Sequence, residues 1–129
     1  MAMGGVSGHA GLFSTIDDLG IFVTALLHEG AHGSTRLLKP ETVHAMFTPQ
    51  TGPLTLGRAL GWQYRDPSYM GHRVSAHTVG HTGFTGTSIV LDLERQLGVV
   101  LLTNRVHPRR DGPGIAPTRS AVADAAVVL

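Results

Sequence analysis

Cysteine is absent from this 129-residue chain, lysine occurs once (Lys39) against nine arginines, and no apolar run is long enough to span a bilayer. The first absence excludes disulfides and thiolate metal sites and leaves the compartment open. Charge of either sign is scarce: 15% of residues are charged, and the net charge is +1 with histidines neutral. No electrostatic footprint therefore points to nucleic acid or to an anionic membrane. The one basic cluster, Arg105, Arg109 and Arg110, lies beside Pro108 and Pro113 and is expected to solvate a loop. Met1 to Gly5 carries neither a basic n-region nor an apolar h-region, so no signal peptide is expected. That opening reads as a start codon set on an interior piece of a longer protein.

A metal site is not expected either. His-Glu-x-x-His is missing. His28 and His32 are four apart, but Gly30 interrupts the helix between them. His77 and His81 are also four apart, on an expected strand, where they share a face yet stand well separated along it. No cofactor is implied by any motif.

What is present suits one domain over residues 1–129, with 42% hydrophobic residues. After a glycine-rich loop from Gly4 to Gly11, Ser14 is expected to cap a helix over Thr15 to Glu29. Asp17 and Asp18 suit its positive end, Leu19, Phe22, Val23 and Leu26 form its stripe, and Gly30 is its stop. Pro40 suits the first turn of a second helix with Val43, Met46 and Phe47 inward, ended by Pro49. A turn-rich stretch runs to Gly57. Leu60 to Tyr64 reads as a short strand in which Trp62 and Tyr64 pack, followed by a turn at Asp66-Pro67. Thr87 to Asp92 and Leu97 to Thr103 read as an antiparallel hairpin. Val99 to Leu102 is apolar on both faces, so cover on both sides is expected. An irregular loop over Val106 to Pro117 precedes a final helix from about Thr118, with Ala121, Val122, Ala125 and Val128 along it.

The most informative stretch is Gly80-His81-Thr82-Gly83-Phe84-Thr85-Gly86-Thr87, directly before an apolar run. Three glycines leave little side-chain bulk there. A ligand can approach the main chain closely, and bare N–H groups can point outward.

Three blocks together resemble the C-terminal portion of serine β-lactamase and penicillin-binding-protein-like hydrolases, nearest the class C β-lactamase-related group. Gly8-His9-Ala10-Gly11-Leu12-Phe13-Ser14-Thr15 with Asp17-Asp18-Leu19 resembles the family's glycine-leucine, serine-threonine, aspartate-leucine helix start. His81-Thr82-Gly83 resembles its third catalytic motif, Lys/His-Thr/Ser-Gly. Asp92 to Arg95, continued by Val100 to Arg105, resembles the hairpin that follows that motif. The resemblance covers roughly residues 4 to 107. It implies an α/β (α+β) fold, an antiparallel sheet flanked by helices, as a partial β-lactamase/transpeptidase-like fold.

The resemblance also implies a chemistry: acyl transfer through an acyl-serine on a small ester, amide or lactam. His81 is implied to attract a substrate carboxylate, which a histidine does only when charged. Thr82 is implied to present its hydroxyl, Gly83 to let substrate reach the backbone, and Phe84 to lend its N–H as one of two oxyanion donors. The first three have a plain structural alternative: a half-exposed strand histidine, a β-branched strand former, a bulge glycine. The family's Ser-x-x-Lys and Tyr-x-Asn motifs are not in this sequence. Arg36 stands three residues before Lys39, and Tyr64 is followed two residues later by Asp66. Ser7, Ser14 and Ser88 do not replace them: Ser7 misses Gly-x-Ser-x-Gly because of His9, Ser14 is read as a cap, and Ser88 lies in a strand. Alone, the chain is therefore expected to be inactive. Its expected partners are the missing N-terminal half or a second copy of itself. Relatives are often exported, which leaves localisation open.

Overall fold

The computed structural model describes residues 4–8, 10–52 and 57–128. The first long element is α1 (Ile16–Leu27). Its N-cap is Thr15, where Ser14 was expected. The Asp18 N–H donates to Thr15 Oγ1 at 3.2 Å, and that hydroxyl donates back to the Asp18 carboxylate at 3.0 Å. A carboxylate three residues after the cap closes this reciprocal pair, and only Thr15 stands at that distance from Asp18. The helix stops as the glycine predicts. Gly30 N–H donates to Ala25 O at 2.7 Å, with Glu29 and Gly30 both at positive φ, 54° and 85°.

A two-residue hairpin follows, β1 (Ala31–His32) with β2 (Thr35–Arg36), too short for any periodicity to announce it. Next comes α2 (Pro40–Phe47), opened by its proline and buried through Val43 and Phe47. The remaining strands are β3 (Arg58–Ala59), β4 (Trp62–Tyr64), β5 (Thr78–Thr82), β6 (Ser88–Asp92) and β7 (Leu97–Leu101). They form one antiparallel sheet in the order β3-β4-β5-β6-β7. The expected strand at 60–64 thus splits into the tip of a β3–β4 hairpin and β4 itself. Part of the turn-rich stretch before it, residues 53–56, lies outside the described residues. Asp66-Pro67 begins a helical turn, α3 (Pro67–Met70), which Asp66 caps through the Ser68 N–H at 3.0 Å.

Alternation along β6 sends Leu91 to one face and Val90 to the other. On the first face Val23 and Leu26 of α1 and Val43 and Phe47 of α2 pack with Trp62, Val79 and Leu91. The rings of Phe47 and Trp62 stack with centroids 6.3 Å apart. On the second face Tyr69 and Met70 of α3 pack with Val90 and Val99.

Two expectations about the C-terminal third hold in part. β7 is the sheet's edge strand and is packed from both faces, Val100 on the α1 side and Val99 on the other, yet every residue in it stays half-buried. The last helix, α4 (Ala116–Ala126), starts earlier than expected and turns Ala123 inward, while Ala121, Ala125 and Val128 are exposed. The apolar stripe misled because polar groups fasten this helix. Asp124 Oδ1 accepts from the His72 and Arg73 N–H groups, each at 2.7 Å.

Candidate active site

β5 ends at Thr82, and the chain reverses over 83–87 before entering β6. The reversal is a β-turn in which the Gly86 N–H donates to Gly83 O at 3.1 Å, closed below by the Gly83 N–H on Thr87 O at 2.7 Å. Glycine is required at both corners. A Cβ on Gly83 would collide with Thr87 Oγ1. Gly86 sits at φ 120°, with Thr103 Oγ1 and the Arg105 N–H behind it. The bareness expected to serve a ligand at position 83 is therefore demanded first by the turn itself.

Every carbonyl of this turn is anchored from outside it. Arg119 Nη2 donates to Gly83 O at 2.8 Å and to Thr87 O at 2.9 Å. Arg105 Nη1 donates to Phe84 O at 3.1 Å, and the Arg105 N–H to Thr85 O at 2.8 Å. Thr103 Oγ1 donates to Gly86 O at 2.8 Å. The turn's own bonds use the N–H groups of Gly83 and Gly86 and leave those of Phe84 and Thr85 out. Since a trans peptide points its N–H opposite its C=O, carbonyls drawn inward leave these N–H groups facing out.

Phe84 and Thr85 line a cleft of about 700 Å³. His81, Thr82, Gly83, Phe84, Thr85 and Thr87 form one wall of it. Ala10 to Ser14, Leu19, Trp62, Ser88, Ile89 and Leu102 complete its lining. All four residues singled out in the sequence thus meet at one concavity. His9 of the first motif block lies outside the described residues. His81 is exposed, with Nδ1 3.0 Å from Thr82 O. A carbonyl only accepts, so Nδ1 carries the hydrogen, and Nε2 is the nitrogen left to meet a ligand. Thr82 is half-buried, and Phe84 is 68% exposed. Ser14 lines the cleft from the loop before α1, and Ser88, buried opposite Thr82 in the ladder, lines it as well.

Two residues central to this geometry escaped the sequence reading. Arg105, expected to solvate a loop, turns inward. Besides its bonds to the turn, its guanidinium lies 5.1 Å from the centroid of the Phe84 ring. Arg119 carried no signal, being one arginine on a helix of weak amphipathicity. Burial, with Arg105 close by, pulls the Arg119 guanidinium below its ordinary pKa. On the same side of the sheet, burial pushes the Tyr69 phenol above its usual range. His77 precedes β5, and its Nε2 lies 3.5 Å from Glu94 Oε1. Among the described residues no cluster of three or more His, Cys, Asp or Glu is placed to hold a metal, and no helix is long and apolar enough to cross a membrane.

The family model for beta-lactamase matches residues 1–124. A protein of Escherichia coli O157:H7 assigned as a D-alanyl-D-alanine carboxypeptidase is 39% identical over 110 residues, which cover 82% of this chain and 25% of that protein. The N-acetylmuramyl-L-alanine amidase of Bacillus subtilis (strain 168) is 38% identical over 110 residues, covering 82% of this chain and 24% of the amidase. The chain thus spans about a quarter of the length of the curated relatives it matches. Among solved structures, a β-lactamase from Mycobacterium bovis superposes with a TM-score of 0.72 at 25% identity, covering 89% of this chain and 44% of that one. On its cleft-facing turn, its antiparallel sheet and these matches, the chain belongs to the beta-lactamase family.

Proposed function

We propose that residues 1–129 are a single domain forming the C-terminal portion of a serine hydrolase that works through an acyl-serine on an ester, amide or lactam. This portion supplies the substrate-lining strand and one oxyanion donor. The observation that carries the reading is the turn at 83–87. Its carbonyls are all tied back, the Phe84 N–H takes no part in the turn's own bonds, and Phe84 lines the cleft beside His81. An oxyanion hole needs such a donor, fixed before the reaction and aimed where negative charge develops. In this reading Thr82 presents its hydroxyl to the substrate and Gly83 keeps that edge thin. The His81 Nε2 accepts from a substrate donor when the ring is neutral, and the ring attracts a carboxylate when it is charged. The names of the relatives support the reaction class, since carboxypeptidase and amidase both act at an acyl carbon. The nucleophile and its lysine come from outside this chain, which has no Ser-x-x-Lys.

The test is direct. The purified 129-residue chain should hydrolyse neither nitrocefin nor p-nitrophenyl acetate above the buffer rate. Turnover that persists in the presence of active-site-serine inhibitors would overturn the reading.

A second reading has its own support. Leu12 and Phe13 are 88% and 98% exposed beside the cleft, and β7 presents an open, uncharged edge. These features suit a half-enzyme completed in trans, or a non-catalytic module that self-associates. Light scattering across a concentration series discriminates, because a monomer at every concentration removes self-association.

A further inference from the structure

The geometry points to Arg119 as a positioning residue: it grips Gly83 O and Thr87 O from behind the sheet and fixes the Gly83–Phe84 peptide with its N–H toward the cleft. The inference rests on reading that N–H as an oxyanion donor, and it adds the device that aims it.

Three observations carry it. First, a single nitrogen, Arg119 Nη2, bridges both carbonyls at the mouth of the turn, at 2.8 and 2.9 Å. Gly83 O is then held twice, by Arg119 and by the Gly86 N–H. To rotate this peptide plane, both bonds must break. A glycine before the plane leaves its torsions otherwise unrestrained, so external fixing is needed. Second, the pull comes from the side away from the cleft. Arg119 belongs to α4, which packs on α3, and the charge of the guanidinium is felt by Tyr69 on the sheet's second face. The cleft is lined by Trp62 and Ile89 of the first face, and Arg119 is not among its lining residues. Third, the grip is made against opposing costs. The guanidinium is partly desolvated, Arg105 repels it, and its buried Nε has no hydrogen-bond partner. Those costs are offset by charge-assisted bonds to the two carbonyls.

Backbone relaxation of the isotope-labelled 129-residue chain, with phenylphosphonate as a tetrahedral-anion probe, tests this. In the unmodified protein the Phe84 amide should be rigid, with an order parameter of about 0.85, and phenylphosphonate should move its proton downfield. In Arg119→Met the order parameter should fall below about 0.6 and the response to phenylphosphonate should vanish, while α1 and β6 amide shifts stay in place. Arg119→Lys keeps the charge and a single multi-donor nitrogen on a shorter stem, and should give an intermediate response. It also serves as the test if the methionine variant does not fold. Order and response unchanged in either variant overturn the positioning role. A Phe84 amide that depends on Arg119 for its order, yet ignores phenylphosphonate in the unmodified protein, supports positioning and sinks the donor reading instead.

Discussion

Phe84 separates backbone from side chain at a single position. It occupies the second position of the β-turn closed by Gly83 O and the Gly86 N–H, a place where proline fits well. Phe84→Pro therefore deletes the N–H and leaves the turn able to form. Phe84→Ala keeps the N–H and loses the ring that lies against Arg105. If that N–H holds an oxyanion, the proline variant of the complete enzyme should lose about 10²–10³ in kcat with KM little changed. The alanine variant should stay close to the parent. Steady-state kinetics with both variants checks this, and equal losses would assign the effect to the ring.

β6 and the segment before β5 are joined by a buried ionic cluster at the far end of the ladder from the turn. The Asp92 side chain is 1% exposed. It accepts from Ser75 Oγ at 2.6 Å, from the Ser75 N–H at 2.7 Å, and from the N–H and Nη1 of Arg95 at 3.2 and 3.0 Å. Burial works to raise the pKa of this carboxyl. The bonds from Ser75 and Arg95 outweigh it and hold the group below its ordinary value. A carboxylate depressed in this way stabilises the fold above its unfolded pKa, near about 4. It loses that contribution as pH falls through the folded value. Asp92→Asn should thus cost about 1.5–3 kcal/mol at neutral pH, and the difference from the parent should shrink towards pH 3. Urea unfolding at the two pH values measures it. A gap that stays constant would mean the cluster acts through shape alone. Within the same sheet, the β6–β7 hairpin was legible because its apolar runs and short polar connection are local. α4 was legible as a helix, but its fastening through Arg119 and Asp124 was not, because their partners lie far away in sequence.

Taken as a whole, the molecule has two faces of unequal finish. The α3–α4 side closes over the sheet with polar fastenings. The cleft side carries exposed Leu12, Phe13 and Phe84, and the sheet ends in an open β7. Apolar surface gathered around one concavity favours association. The chain should show a mass in light scattering that rises with concentration, and Phe13→Asp should move it toward monomer. Identical behaviour of parent and variant would exclude this wall as the contact.

Local grammar in the sequence determined the body and glycine stop of α1, the paired strands β6 and β7, and the glycine-poised octet with His81, Thr82, Gly83 and Phe84. Each of these depends on residues a few positions apart. The tertiary structure alone decided which way the turn's peptide planes face. That depends on Arg105 and Arg119 reaching back 21 and 36 residues to carbonyls they meet only once the sheet and the last helix have packed. A side chain's partner across such a separation is set by the fold's geometry, and no short-range pattern of residue types encodes it.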